Sequence, residues 1–223
     1  MRKKCLQCGL INFSADLECR RCGTFLTSRG NVPDETAEEG SKGGKRSLAK
    51  KLLWIAGATL SVLFICYVSL LASSDRLALE QKQVVYRAIS VLEQNGFTRD
   101  VFALRHFASF RSTDNWWNRY LGHREAYAAT NFPFEIVTLY PEFFNVAVDD
   151  QERAVILLHE SYHLFGYGEA ATLEGVWRNK SRLGWTAEKY AQTKVWKNTI
   201  ELTRGTMPQL FQCGADGQAD CTP

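Results

Sequence analysis

The sequence predicts an α+β protein in which an N-terminal cysteine module and a single transmembrane helix precede a mainly helical domain with a small sheet. Three observations lead to this prediction. Four cysteines lie in pairs within the first 23 residues, an uncharged apolar stretch follows, and the rest of the chain shows mostly helical spacing of apolar residues. The predicted regions are the module at 1–27, a linker at 28–51, the transmembrane helix at 52–72 and the folded domain at 73–223.

The N-terminal module contains two CxxCG units, Cys5–Gly9 and Cys19–Gly23. In each unit the glycine permits a tight turn that points backbone amides at the thiolates, and four sulfurs complete a closed metal site. The pattern resembles the small zinc ribbons. This resemblance implies one structural Zn²⁺ with four cysteine ligands, Cys5, Cys8, Cys19 and Cys22. The alternative, two disulfides, requires an oxidising compartment.

Residues 28–51 are rich in Gly, Ser, Glu and Lys, which predicts a flexible, basic linker. Leu52–Ala72 then supplies 21 residues without a charge. As a helix this stretch rises about 31 Å and crosses the hydrocarbon core of a membrane. A cleaved signal peptide begins with a short basic region, whereas 51 residues precede this helix. The sequence therefore predicts a permanent anchor in the lipid bilayer.

Charge predicts the orientation of this anchor. Residues 1–51 contain 11 Lys and Arg against 6 Asp and Glu, whereas Arg76 alone lies close behind the helix. By the positive-inside rule we expect a single-pass protein of the plasma (inner) membrane, with a cytoplasmic N-terminus and an extracytoplasmic domain. Basic residues commonly flank such anchors, so a cytoplasmic protein is favoured over nucleic acid as the partner of the module. Residues 73–223 carry a net charge of −2, too little to attract polyanions.

Cysteine usage fits this division of compartments. Cys213 and Cys221 lie in the predicted outer domain, where a disulfide between them can form and would close a nine-residue loop. Two free thiols are the alternative.

One helix of the outer domain is well marked at both ends. Asp149 can cap its N-terminus with Glu152 as the third residue, and Gly166 can end it in the left-handed conformation. The apolar run Ala154–Leu158 is expected to bury the helix between these ends.

This helix carries a candidate metal site. His159 and His163 are four residues apart, so both imidazoles lie on one face and can bind one tetrahedral Zn²⁺. Glu160, beside the first histidine, is placed to act as general base towards an attacking water. The alternative is a buried helix whose histidines satisfy backbone carbonyl groups.

The motif His159-Glu160-x-x-His163 resembles the zincin metallopeptidases. Its extension through Gly166 to Glu169 is similar to the metzincin pattern, in which a glycine turn returns a third ligand to the metal. Glu169 stands where that family has His or Asp. The alternative third ligand is Glu174 on a following helix, as in the gluzincins. The resemblance implies a catalytic Zn²⁺ and hydrolysis of peptide bonds.

The resemblance also implies supporting features. Met207 is a candidate for the methionine turn of metzincins, with a packed or loop methionine as the alternative. Tyr162, Tyr167 or Tyr190 is a candidate to stabilise the oxyanion. The segment Phe134–Tyr140 is the best strand candidate, and in zincins an edge strand near the metal helix binds extended substrate.

Apolar spacing predicts the other elements. Trp116, Trp117 and Tyr120 are expected in the core rather than on a binding surface. Further helices are predicted at Leu77–Gln94, from Thr98 to about Phe110, from Thr113 or Asp114, at Glu169–Trp177 and at Thr186–Arg204.

The sequence thus predicts a membrane-anchored zinc metallopeptidase that hydrolyses peptides or proteins, with one catalytic and one structural Zn²⁺. The alternative is a non-enzymatic, membrane-anchored zinc-ribbon scaffold or sensor whose outer domain binds a ligand. Between the two lies a zinc hydrolase of another substrate, such as cell-wall material.

Overall fold

The structure, a computed structural model, describes residues 2–13, 15–26, 43–122, 126–214 and 219–222, with the side chains of 43–47 outside the description. Its packing divides the chain into two compact units, Met1–Val62 and Leu63–Pro223. Residues 28–42 of the predicted linker lie outside the described residues. The predicted domain boundaries stay predictions.

The first unit begins with a two-stranded antiparallel ribbon. Strand β1 (Arg2–Lys4) pairs with β2 (Ile11–Phe13), with Arg2 opposite Phe13. Cys5 and Cys19 are buried beside Leu26 in a small core. The ribbon therefore carries the two cysteine units close together.

Helix α1 (Gly43–Ala72) begins nine residues before the predicted start at Leu52. Lysine, alanine and leucine precede that residue and favour helix, so the helix continues through the basic flank. Its part from Leu48 to Ala72 has a mean hydropathy of 2.2 and is long and apolar enough to cross a membrane. Its side chains are mostly exposed, as expected of a helix that is apolar on all sides.

The second unit contains a three-stranded sheet in the order β3–β5–β4. Strand β5 (Ile136–Leu139) lies in the centre, parallel to β3 (Ser109–Arg111) and antiparallel to β4 (Ala128–Asn131). All four residues of β5 are buried. The strand predicted within Phe134–Tyr140 is therefore present as β5, but the role of substrate-binding edge strand suggested for it by the resemblance is wrong, because a run buried on both faces belongs in the middle of a sheet. The edge strands are β3 and β4, and the sequence did not reveal β4, the one that lies beside helix α6 (Asp150–Leu164).

Helix α6 is the central helix of this unit, since it packs against four other helices and against β4. The helices of this unit are α2 (Leu79–Gln94), α3 (Thr98–His106), α4 (Trp116–Leu121), α5 (Pro141–Asn145), α6 (Asp150–Leu164), α7 (Glu169–Arg178), α8 (Ala187–Tyr190), α9 (Lys194–Thr206) and a 3₁₀ turn at Pro208–Phe211. The chain is thus mostly helical with small sheets, which is compatible with the predicted α+β class.

Several element ends differ from the prediction. The helix from Thr98 stops at His106, because the chain soon pairs with β5 as β3, at Ser109–Arg111. Helix α4 begins at Trp116, where the Asn115 side chain accepts the Asn118 N–H at 3.0 Å. The segment Thr186–Arg204 forms two helices, because Thr193 caps a new helix by accepting the Trp196 N–H.

The start of α6 is fixed by side chains from two parts of the chain. Asp149 Oδ1 accepts the Gln151 and Glu152 N–H groups at 3.1 and 3.0 Å, as the sequence predicts. Tyr190 Oη donates to the other carboxylate oxygen at 2.8 Å. Glu152 is buried and accepts the Val148 N–H at 3.0 Å. Both carboxylates are therefore satisfied, and α6 is held at a fixed position.

Replacement of this cap should weaken the fold. Asp149→Ala is expected to lower the free energy of unfolding by about 1–2 kcal/mol at neutral pH. Burial raises the pKa of Asp149, but the Glu152 N–H, Tyr190 and Lys189 outweigh it and hold the pKa below its usual value. A lowered pKa means that this stabilisation is present at neutral pH and is lost as the pH falls through it.

Urea unfolding of the detergent-solubilised chain, followed by tryptophan fluorescence, measures this difference. Glu201→Ala, an exposed change on α9, is the control and should lie within about 0.5 kcal/mol of the unmodified chain. Equal stability of Asp149→Ala and the control would show that the cap is dispensable.

Candidate metal centres

The four cysteines of the N-terminal module converge. Cys5 Sγ lies 3.6 Å from Cys22 Sγ, and Cys8 Sγ lies 3.5 Å from Cys19 Sγ. All four sulfurs lie within 4.8 Å of one another. A tetrahedral zinc site with zinc–sulfur distances of 2.3 Å has sulfurs about 3.8 Å apart. The cluster therefore has the dimensions to bind zinc, and in the structure the four residues are free cysteines.

Glycine makes this convergence possible. Gly9 and Gly23 have φ of +75° and +69°, and each donates its N–H to the carbonyl of the first cysteine of its unit, both at 2.9 Å. The left-handed backbone is open to glycine at little cost. Asn12 supports the cluster from β2, because its buried amide donates towards Cys19 Sγ at 3.6 Å and its Oδ1 accepts the Arg20 N–H.

The thiols of Cys8 and Cys19 do not titrate alike. The Arg21 N–H lowers the pKa of Cys19 most strongly, burial opposes it, and the net result is a pKa of about 6. For Cys8 the Leu10 backbone lowers the pKa, but burial and the three other thiols raise it to about 12. Four crowded sulfurs cannot all become thiolates without a compensating charge, which a bound cation supplies.

The second cluster lies at the end of α6. His159 Nε2 and His163 Nε2 are 3.1 Å apart, and Glu169 Oε2 lies 3.6 and 3.3 Å from them. A tetrahedral site with zinc–ligand distances of about 2.1 Å has ligand atoms about 3.4 Å apart. These three separations fit such a site.

The turn after α6 brings Glu169 back to the histidines. Gly166 has φ of +78°, and its N–H donates to the His163 carbonyl at 2.9 Å. A Cβ at Gly166 would lie 3.4 Å from the Phe132 ring, so the position is also tight. Helix α7 then begins at Glu169 itself, where the N-terminal helix dipole favours a carboxylate.

Backbone contacts orient the second histidine. His163 Nδ1 lies 2.9 Å from the Tyr167 carbonyl oxygen. A carbonyl only accepts, so Nδ1 carries the proton and Nε2 presents its lone pair to the cluster. The turn residues thus select the tautomer that a metal ligand needs.

Glu169 and His163 stabilise each other's charged forms. Hydrogen bonds from His159 and His163 hold the pKa of Glu169 well below its usual range, and the charges of the two histidines add a smaller effect in the same direction. Burial of the carboxylate opposes both. Burial lowers the pKa of His163, but Glu169, Glu160 and the Tyr167 carbonyl outweigh it and raise the net pKa. At neutral pH the site therefore contains the ionised carboxylate of Glu169, which attracts a cation or protons.

Glu160 is buried beside the cluster, and its carboxylate is held from another element. Thr130 Oγ1, on β4, donates to Glu160 Oε2 at 2.7 Å. The hydrogen bond fixes one carboxylate oxygen and leaves the other as acceptor.

A cavity of about 550 Å³ opens on this cluster. Its lining includes the cluster and Glu160, most of β4, and apolar side chains of α6, α7 and α9. Tyr127 Oη accepts a hydrogen bond from Asn198 Nδ2 at 2.9 Å in the same lining. The cavity is large enough for several residues of an extended peptide.

The structure places the other predicted residues as follows. Glu174 forms an ion pair with Arg178 at 2.8 Å instead of joining the histidines. Of the three tyrosines, Tyr167 lines the cavity, whereas the Tyr190 hydroxyl donates to the Asp149 carboxylate that caps α6. Tyr162 packs against Gly175, where a Cβ would lie 2.5 Å from its ring.

The remaining two predictions concern the C-terminal segment. Met207 packs against the main core, and its sulfur accepts a hydrogen bond from Gln209 Nε2. Cys213 and Cys221 form a disulfide. The segment between them includes residues 215–218, which lie outside the described residues.

Sequence reasoning missed Thr130, Tyr127 and Asn198. They come from β4, from the residue before it and from α9, and no spacing along the chain connects them to the histidines. No motif in the sequence marks any of the three.

In comparisons with known proteins, no protein-family model, no curated protein and no solved structure matches this chain.

Zinc content tests both clusters. The full chain, purified in detergent, is expected to hold two zinc ions, because two groups of ligands converge. His163→Ala should remove one and Cys19→Ser the other, since each leaves its site a ligand short. Elemental analysis by mass spectrometry measures the ratio.

His106→Ala, on α3, is the matched control and should keep both ions. A single zinc in the unmodified chain that disappears in Cys19→Ser would show that the histidine cluster does not bind zinc.

Proposed function

We propose that the chain is a membrane-anchored zinc metallopeptidase that cleaves peptide bonds in the cavity beside β4. The observation that carries this proposal is the spacing of His159, His163 and Glu169, which fits one tetrahedral zinc next to a buried carboxylate. Bound zinc would activate water and polarise the scissile carbonyl. His159, His163 and Glu169 would hold it, and the cavity would provide the fourth position.

In this proposal Glu160 is the general base. Its free carboxylate oxygen accepts a proton from the attacking water and later delivers it to the departing amine. Thr130 keeps the carboxylate in one orientation by donating to Oε2. Tyr167 and Tyr127 line the cavity and are the candidates to donate to the developing oxyanion.

Strand β4 supplies the means of binding an extended peptide. The Tyr140 N–H donates to the Tyr127 carbonyl, so the hydrogen-bonded pairs that follow in the antiparallel register are Ala129 with Thr138 and Asn131 with Ile136. Ala128 and Thr130 consequently direct their backbone groups to the open edge. A substrate strand can pair there, beside the candidate metal site.

The proposed arrangement across the membrane follows from charge. The basic flank of α1 would lie in the cytoplasm together with the cysteine module, which would bind a structural zinc. The outer unit, with its disulfide, would lie on the opposite side, where oxidising conditions maintain that bond.

A second candidate function is a non-enzymatic scaffold, and one observation favours a binding role for the cysteine module. It exposes large apolar side chains that a protein partner could cover, namely Leu6, Ile11, Phe13, Leu17 and Phe25. Both the scaffold and the peptidase would contain this module. Zinc binding and hydrolysis at the histidine cluster of the outer unit therefore distinguish the two functions.

Removal of the general base tests the peptidase. Glu160→Gln should retain both zinc ions and lower hydrolysis of a fluorophore-quenched, unfolded protein by about 10²- to 10⁴-fold, because the amide cannot accept the proton. Glu169→Gln should lose zinc and activity together. Glu174→Gln is the control and should change neither by more than about twofold, since it breaks only an exposed ion pair.

Unchanged hydrolysis in Glu160→Gln would refute the mechanism. Zinc loss in Glu174→Gln but not in Glu169→Gln would assign the third ligand to Glu174.

The role of Thr130 is tested separately. Thr130→Val keeps the shape of the side chain but removes the hydrogen bond to Glu160, so kcat should fall about 10- to 100-fold while zinc content stays unchanged. Thr206→Val, an exposed change at the end of α9, should have no effect. A kcat that stays within twofold of the unmodified chain would show that Glu160 needs no support from β4.

A further inference from the structure

The last two turns of α1 are packed within the second unit, unlike the rest of that helix. Leu70 is 3% exposed, and the Tyr67 ring stacks on Phe134 with centroids 6.5 Å apart. Cys66 and Leu70 line a second cavity, of about 290 Å³. Elements that contact residues 66–72 therefore lie at the same depth, relative to the membrane, as this part of the helix.

That depth follows from the length of the apolar stretch. Leu48–Ala72 spans 25 residues, which corresponds to about 37 Å, against a hydrocarbon core of about 30 Å. Counted from the charged residue Lys51, the core ends close to Ala72. The packed turns from Cys66 to Ala72 consequently lie within about 10 Å of the membrane boundary.

Helix α4 is fixed to this end of α1 by hydrogen bonds. The Trp116 N–H donates to Ser73 Oγ at 3.1 Å, and Arg119 Nη2 donates to the Ser73 carbonyl at 3.3 Å. Ser73 directly follows α1. The position of α4 is thus set by the residue at the membrane boundary.

The surface of α4 is unusually aromatic for a water-exposed helix. The sequence-based expectation that its aromatic residues lie in the core is wrong, because Tyr120 is 81% exposed and Trp116 and Trp117 are partly exposed. Leu121 and Phe132 are exposed beside them. Tryptophan and tyrosine favour the membrane interface, where the ring lies among lipid groups and the polar atom among headgroups.

This aromatic surface continues into the candidate site. Ala129, Thr130 and Phe132 line both cavities, so β4 separates the cavity at α4 from the cavity at the histidines. Only β4 therefore separates the aromatic side chains at α4 from the cavity that holds the histidines.

We propose that the aromatic surface, formed by Trp116, Trp117, Tyr120, Leu121 and Phe132, lies in the lipid interface at the C-terminal end of α1. It holds the cleft beside β4 at the membrane surface, where the cleft takes peptide segments attached to that bilayer. The lipid contact stands independently of catalysis, whereas the substrate class rests on the proposed function.

Tryptophan fluorescence tests the lipid contact on the full chain in phosphatidylcholine vesicles. The chain has six tryptophans, of which Trp177, Trp185 and Trp196 are buried. In a Trp54→Phe background, which removes the tryptophan of the membrane span, Trp116 and Trp117 are the two that lipid or solvent can reach. Lipids brominated near the headgroup should quench them at least about twofold more than lipids brominated near the chain end.

Two outcomes decide this part. Strong lipid quenching that disappears in Trp54→Phe/Trp116→Phe/Trp117→Phe supports the proposal. Quenching by aqueous iodide in place of lipid bromine would place the surface in water and overturn it.

The substrate class is tested with one peptide in two forms, free in solution and attached to the vesicle by an acyl chain. Tyr120→Ser/Leu121→Ser should lower cleavage of the attached peptide about tenfold and leave cleavage of the free peptide unchanged. Tyr86→Ser, an exposed aromatic change on α2, is the matched control.

Equal effects on both peptides, or no effect on either, would overturn the substrate class. Absence of cleavage of any peptide, together with lipid quenching, would refute the proposed function and the substrate class but leave the lipid contact established.

Discussion

The structure of the second unit depends on the way α6 ends. Two histidines one turn apart share a face, and Gly166 reverses the chain in a conformation that other residues adopt only with strain. Because α7 starts at Glu169, the carboxylate returns to within 3.6 Å of both imidazoles. The Tyr167 carbonyl, in the same turn, fixes the tautomer of His163. The histidine spacing, the Gly166 turn, the start of α7 and the Tyr167 carbonyl therefore all contribute to the geometry of one cluster.

The rest of the unit holds this helix end in place. Asp149, Glu152 and Tyr190 fix the start of α6, and its middle is buried against α2, α3 and the sheet. Strand β4 then supplies Thr130 to Glu160 on one side and an open edge on the other. The same short strand lines the second cavity, at the end of α1. Through β4, the proposed chemistry and the proposed position at the membrane are linked by adjacent residues.

The two candidate metal centres use different physical means. The cysteine cluster gathers four sulfurs from two glycine turns on a small ribbon, which leaves no position for a substrate. The histidine cluster gathers three ligand atoms at the wall of a cavity, which leaves one position of a tetrahedron open to it. A closed site stabilises a fold that has a very small core, whereas an open site is suited to chemistry.

The sequence by itself determined whatever depends on residues close together in the chain. It specified the cap at Asp149, the turn at Gly166, the two cysteine units and the apolar length of α1, because capping, glycine turns and helical spacing act over a few residues. Only the tertiary structure decided that β4 is an edge strand, that Thr130 holds Glu160, and that α4 exposes its aromatic residues beside Ser73. The contacts of Thr130 with Glu160 and of Trp116 with Ser73 join residues 30 and 43 positions apart. Strand order and packing between distant segments follow from how the whole core is filled, which no local pattern records.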